Sequence, residues 1–234
     1  MANSYFAFKR FVIRQERCAM KVGTDGVLLG AWTDVSGVRR ALDVGTGTGL
    51  IALMIAQRCD AEIIGLEIES DAAAQAAENV SASVWKERVG LVRGDFNEYF
   101  PQIKFDLIVS NPPFFRNSLP SPDQQRNTAR HDNRLSFDAL ITKSAGLLAP
   151  GGRISLIVPA ASDEEIAEVA LRAGLYPLRR TYVKPLPTSG PKRLLVELGA
   201  SPQPCRTDFL TVELSRHVYS PEFTELTKEY YLDK

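Results

Sequence analysis

The sequence predicts an α/β fold: a doubly wound, mainly parallel sheet of seven strands with an antiparallel hairpin at its edge. Three observations carry that expectation. From residue 41 onward, short apolar runs alternate regularly with segments of helical period. That order produces a parallel sheet with helices on both faces. The first run, Arg40 to Val44, empties into Gly45-Thr46-Gly47-Thr48-Gly49 just before an apolar helix, Leu50 to Ala56. Finally, Asp43, Glu67, Asp95 and Asn111 all stand at the carboxyl ends of predicted strands, where ligands bind in sheets of this kind.

The elements follow in order within one domain, residues 1–234. Residues 1–35 read as an N-terminal extension with a capping helix. Phe6 and Phe8 alternate with Ala7 and Lys9, which suits a short strand whose rings enter the core. Met20 to Gly26 is a turn with a helix start, where Thr24 or Asp25 is expected to cap the apolar run Val27, Leu28, Leu29, Ala31 and Trp32. After the glycine turn come strands at 61–66, 89–93, 105–109 and 152–158. Helices are expected at 71–84, 137–148 and 163–173. Residues 115–134 hold Pro120, Pro122 and many polar residues, the composition of a long mobile loop. The rhythm then changes. Strands at 175–183, 193–198 and 209–214 follow without room for a helix between the first two, so those two form the hairpin. Residues 222–231 form a closing helix.

The glycine turn restricts the ligand. Glycines let a backbone approach a ligand closely, and the following helix aims its N-terminal N–H groups at it. A dinucleotide site has the spacing G-x-G-x-x-G. Here the spacing is G-x-G-x-G, and Leu50 stands where the last fingerprint glycine would fall. Asp43, two residues before the first glycine, would repel a pyrophosphate but would suit the ammonium of a zwitterionic amino-acid tail. The stretch resembles motif I of the class I S-adenosylmethionine (SAM) methyltransferases, which have a Rossmann-like fold. That resemblance makes SAM the expected cofactor and the capping helix a cover for its methionine end, with Thr24 near it. It disfavours a nicotinamide oxidoreductase.

Composition narrows the class further. Hydrophobic residues make up 44% and charged residues 24%, ordinary values for a soluble globular chain. Three cysteines, Cys18, Cys59 and Cys205, lie far apart, and the only histidines are His131 and His217, so no metal-ligand spacing is present. No run approaches the ~18 apolar residues of a membrane span, and no signal-peptide core is visible. A reduced, cytoplasmic protein without metal or membrane attachment is expected. With 28 basic and 28 acidic residues the formal charge is zero, yet the charge is unevenly spread. Lys9, Arg10, Arg14, Arg17 and Lys21 crowd the N-terminus, and Arg172, Arg179, Arg180, Lys184, Lys192 and Arg193 form a second cluster with no acid among residues 172–193. Each is either a solvated face or a surface for phosphates.

The strand ends suggest roles. At the end of the second strand, Glu67 can accept hydrogen bonds from both hydroxyls of a ribose. Asp95 can accept from an adenine amino group while Phe96, by its ring or backbone, lines the base. Asn111-Pro112-Pro113-Phe114 follows the fourth strand. An exocyclic amine on a ring is a poor nucleophile because its lone pair is delocalised. An Asn side-chain oxygen and a backbone carbonyl can together hold its two N–H bonds and favour a pyramidal nitrogen. Proline adds a fixed shape and no competing N–H. Phe114 offers a face for stacking a planar group. Methyl transfer from a sulfonium then requires alignment more than a general base.

Motif I, Glu67 and Asn111 to Phe114 together resemble the amino-methylating SAM enzymes that act on adenine N6, guanine N2 or glutamine N5. Residues 6–11, 17–26 and 28–32, with Ala129-Arg130-His131, Tyr219-Ser220 and Tyr230-Tyr231-Leu232, resemble more specifically the bacterial valine-tRNA adenine N6-methyltransferases. That resemblance covers nearly the whole chain. It implies transfer of a methyl group from SAM to N6 of the adenine just 3′ of the anticodon in tRNA(Val). Single-stranded loop bases enter a pocket at little unstacking cost. The basic segments would track phosphates, and the 115–134 loop, with Arg116, Arg126, Arg130 and Arg134, would close over the base. Phe114, where many adenine enzymes have Tyr, keeps guanine-N2 methylation of RNA and glutamine-N5 methylation of protein open. A non-catalytic SAM- or RNA-binding module is the reading from a different class.

Overall fold

A computed structural model of the chain describes residues 3–113 and 135–232. Phe114 and the 115–134 loop, with its arginines and His131, lie outside the described residues. The chain opens with a hairpin, β1 (Tyr5–Ala7) and β2 (Val12–Arg14), followed by helix α1 (Thr24–Trp32). The repeating part runs β3 (Arg40–Val44), α2 (Leu50–Ala56), β4 (Glu62–Glu67), α3 (Ser70–Ser81), β5 (Val89–Arg93) and β6 (Phe105–Ser110). It resumes with α4 (Phe137–Leu147), β7 (Leu148–Pro159), α5 (Asp163–Arg172), β8 (Tyr176–Lys184), β9 (Arg193–Gly199) and β10 (Arg206–Thr211). A small ribbon, β11 (Glu213–Ser215) with β12 (Val218–Tyr219), and helix α6 (Pro221–Thr227) close it.

The main sheet has the order β10-β8-β9-β7-β6-β3-β4-β5. It is the expected α/β sheet with one strand more than the seven expected. β9 is the antiparallel member, paired with both β7 and β8. The hairpin is therefore inside the sheet rather than at its edge, because β10, foreseen at 209–214 and found at 206–211, pairs in parallel with the free side of β8. Burial explains the arrangement. Leu194 to Leu198 of β9 is shielded throughout, as a strand with neighbours on both sides must be. The polar Arg206-Thr207-Asp208 start of β10 suits an exposed edge. The closing helix ends at Thr227, short of the expected 231.

Side chains alternate across the sheet with period two. Ala41, Leu107 and Val109 enter one core with α1, α2, the N-terminal aromatics, Phe223 and Tyr230. Leu42, Val44 and Ile108 enter a second core that also takes in Leu140, Ile141, Ile166 and Val169 of α4 and α5. Every residue of α2 is buried, because α1 covers its outer side. A Cβ on Gly30 would come within 2.7 Å of Met54 Sδ, so glycine sets that close approach. Phe8 stacks on Phe11 at 4.7 Å and on Tyr231 at 6.0 Å. Lys9 N–H donates to the Tyr230 carbonyl at 2.8 Å. The two ends of the chain thus meet beside α2.

Register places the site. Val44 lies opposite Leu66 on one side and Ser110 on the other, and Glu67 lies opposite Arg93. Four parallel strands, β5, β4, β3 and β6, therefore end close to level. From β3 the chain builds outward through β4 and β5, then returns to β6 on the other side of β3, and ligands bind at such a reversal.

Candidate active site

Gly45, Gly47 and Gly49 have φ of +71°, +58° and +81°, a region costly for side chains with a Cβ. The turn folds back on β4, with the Gly45 and Thr46 N–H groups donating to the Leu66 carbonyl at 2.9 and 3.1 Å. A Cβ on Gly45 would meet nothing within 4 Å, and one on Gly47 would meet only Cys18 Sγ at 4.0 Å. The turn is a cradle with open space against its backbone.

Asp43 lies beneath it, fully buried. Its Oδ2 accepts from Thr46 Oγ1 at 2.6 Å and from the Ala52 N–H at 3.1 Å, bracing the turn against α2. Its Oδ1 has no hydrogen-bond partner among the described residues. Burial pushes the carboxyl up to about 7 against the pull of those two bonds. Glu67 is also buried. Its Oε2 accepts from the Gly47 N–H at 2.8 Å and its Oε1 from the Glu69 N–H at 3.0 Å. An orphaned acidic oxygen, a cradle that a side chain would fill and a carboxylate at the next strand end fit the ammonium, the backbone-hugging tail and the ribose diol of SAM.

Asp95 caps a short 3₁₀ turn, Phe96–Glu98, its Oδ1 accepting from the Asn97 N–H at 2.8 Å. The Phe96 ring belongs to the second core, with Lys143 Nζ 5.4 Å from its centre. Its backbone, rather than its ring, is left to line a base. Thr24 is the exposed first residue of α1 and caps nothing. The N-cap is Gly23, without a side-chain bond, and the Asp25 carboxylate is taken by Arg193 Nε at 2.7 Å.

Asn111, Pro112 and Pro113 continue β6 beyond Ser110, whose hydroxyl donates to the Val44 carbonyl at 2.8 Å. That bond and the strand register bring Asn111 alongside Gly45. Asn111 is half-buried, Pro112 buried and Pro113 exposed. Asn111 and the glycine cradle are thus neighbours on adjacent strands. Asp43, Glu67 and Asp95 complete the row.

The basic cluster at 172–193 is largely neutralised by acids from other elements. Arg172 pairs with Asp138 at 2.6 Å, Arg180 with Asp163 at 3.2 Å and Arg193 with Asp25 at 2.7 Å. Arg179 lies 3.7 Å from the Trp32 ring centre and 3.8 Å from Glu197. Sequence proximity suggested one surface, whereas alternate residues of β8 point to opposite faces of the sheet. Lys184 and Lys192 have no ion pair among the described residues. Residues 15–22, with Cys18 against Gly47, border the cradle, and the α3 amides Gln75 and Asn79 that hold them were not read from the sequence. Polar amides on the buried side of an Ala-rich helix were the available signal.

Comparison with known proteins gives the family. Residues 24–167 match the family model "Methyltransferase small domain". A tRNA1(Val) (adenine(37)-N6)-methyltransferase of Phocaeicola vulgatus is 51% identical over 233 residues, covering 100% of both chains. Its counterpart from Parabacteroides distasonis is 50% identical over 236 residues, covering 99% of each. Among solved structures, a predicted O-methyltransferase from Agrobacterium tumefaciens superposes with a TM-score of 0.62 at 22% identity, covering 88% of this chain and 96% of its own. Within the described residues no helix is long and apolar enough to cross a membrane, and no three His, Cys, Asp or Glu gather as metal ligands. With a Methyltransferase small domain over most of its length and relatives half identical end to end, the chain belongs to the tRNA1(Val) (adenine(37)-N6)-methyltransferase family.

Proposed function

We propose that this chain, acting as one domain over residues 1–234, methylates N6 of adenine 37 in the anticodon loop of tRNA(Val) with SAM as donor. The carrying observation is the adjacency of two sites on neighbouring strands: the glycine cradle after β3 and Asn111-Pro112 after β6, tied by Ser110 Oγ to the Val44 carbonyl. Relatives half identical over their full length bear that name.

Bound SAM supplies an electrophilic methyl group on a sulfonium. The chain's own residues do the rest by position. Asp43 Oδ1 and the turn receive the amino-acid end, Glu67 the ribose and Asp95 the adenine edge. Asn111 Oδ1 and the Pro112 carbonyl accept the two N–H bonds of the target amine, which localises its lone pair toward the cradle. Phe114 supplies the stacking face. Holding the two reactants in line lowers the barrier without a general base. The turn between β8 and β9 lies at the same end of the sheet, since Arg193 is opposite both Pro159 and Val183. Lys184 and Lys192 there are placed to meet RNA phosphates beside the pocket. The reaction belongs in the cytoplasm, with tRNA.

Incubation with labelled SAM and unmodified tRNA(Val), followed by nucleoside analysis, should yield N6-methyladenosine at position 37. N2-methylguanosine as the product, or label in protein alone, would overturn the assignment.

A further inference from the structure

A buried amide on α3 links the glycine turn to the N-terminal segment. Asn79 has 2% of its surface exposed. Its Oδ1 accepts from the Arg14 N–H at 2.9 Å, and its Nδ2 donates to the Arg14 carbonyl and to the Thr48 carbonyl, both at 2.9 Å. One acceptor and two donors are all used, so asparagine is matched to the place. Thr48 belongs to the glycine turn and Arg14 ends β2. A single side chain therefore holds three elements together.

The segment that leaves Arg14 is fastened at several further points. Gln15, itself buried, accepts from the Val22 N–H through Oε1 at 2.8 Å, closing the base of a loop over residues 15–22. Gln75 Oε1 accepts from the Arg17 N–H at 3.3 Å, and Arg17 pairs with Glu78 on the same helix. Between these ties, Cys18 Sγ faces the open side of Gly47. Burial pushes that thiol's pKa up, and the Glu67 carboxylate adds to the effect. The loop lies above the cradle whose floor is Gly45 to Gly49.

We propose that residues 15–22 are the roof of the cofactor pocket over the methionine end, and that Asn79 is the positioning residue that fixes roof to floor. The inference rests on the SAM reading above. The cradle alone is open on one side, whereas a sulfonium donor has to be held in a single orientation for in-line transfer. With Asn79 bonded to both parts, ordering of the turn by a ligand also orders the loop above it. An aspartate would place a carboxylate oxygen against two carbonyls, opposing the same geometry with almost the same shape.

The test uses the full chain with Cys59→Ser and Cys205→Ser, so that Cys18 is the sole thiol, and S-adenosylhomocysteine as the probe. Alkylation of Cys18 and hydrogen exchange over residues 15–22 are read with and without probe. Saturating probe should slow alkylation by about tenfold or more and protect the loop amides, as expected for closure over a bound ligand. In Asn79→Asp, which loses both Nδ2 hydrogen bonds, the probe should bind about tenfold more weakly or worse. At saturation it should still protect the glycine turn but no longer the loop. Gln15→Ala, which opens the loop without touching α3, should repeat that pattern if Asn79→Asp does not fold. Unchanged Cys18 reactivity with probe bound to the otherwise wild-type chain would overturn the roof. Loop protection as strong as in the otherwise wild-type chain in both variants would overturn the positioning role. Absence of any probe binding by calorimetry would instead overturn the SAM reading on which both rest.

Discussion

The Gly47 N–H donates to Glu67 Oε2 at 2.8 Å, so the middle glycine of the turn and the acid at the next strand end form one unit. Glycine is required at position 47 for a φ of +58°, and the carboxylate then fixes where that backbone sits. Glu67 is thus a brace for the cradle as well as the proposed acceptor for the ribose. Glu67→Ala should lower SAM affinity by more than one hydrogen bond's worth, each charge-assisted bond contributing roughly 1.5–3 kcal/mol. Glu67→Gln, which keeps one acceptor oxygen, should fall between. Calorimetric titration with SAM checks both, and unchanged affinity in the alanine variant would remove Glu67 from the site.

Asp43 should make stability pH-dependent in an unusual direction. Burial raises its folded pKa to about 7, above that of a carboxyl in the unfolded chain. Between those values the folded state keeps a proton that the unfolded state releases. The contribution is fully present below the ordinary carboxylate range, is lost as pH rises toward 7, and is flat above it. Asp43→Asn should flatten that slope, because an amide oxygen can still accept from Thr46 and Ala52 while carrying no charge. Denaturant melts from pH 4 to 8 would show it. The same variant should bind SAM more weakly, since the ammonium loses its counter-charge.

In the proposed mechanism Asn111 acts on the target amine, and Asp43, Glu67 and the glycines act on the donor. Asn111→Ala should leave SAM affinity and the melting temperature near wild type. Turnover should drop by a factor on the order of 10² or more, as on removing an aligned active-site hydrogen bond. Single-turnover methylation of tRNA(Val) gives the rate. Wild-type turnover would exclude the amine clamp.

The arginines and lysines of residues 172–193 should separate by function. Arg179→Ala leaves the buried Glu197 with Arg153, at 3.9 Å, in place of two arginines, and should cost about 1–3 kcal/mol of stability. Lys184→Glu with Lys192→Glu should leave the fold intact and weaken tRNA binding. If each lysine neutralises one phosphate of the single-stranded loop, the slope of log affinity against log salt falls by about 0.7 per contact. Identical salt slopes for this double variant and wild type would make that turn a solvated face.

The sequence by itself determined the features written in short-range pattern. Short apolar runs marked the strands, three glycines marked a turn open to close approach by a ligand, and chain order put Asp43, Glu67, Asp95 and Asn111 at strand ends. These depend only on neighbouring residues, and they sufficed to propose a cofactor site and an amine site. Tertiary structure decided what depends on distant partners. The strand at 206–211 joined β8 because that edge was unpaired, something its own residues do not state. Asp25, expected as a cap, went to Arg193, 168 residues away. Arg172, Arg179 and Arg180, one charge cluster on paper, met separate acids on different faces. Asn79 reached Arg14 across 65 residues. A buried polar group must find a partner, but which partner is set by the packing of the whole sheet and its helices.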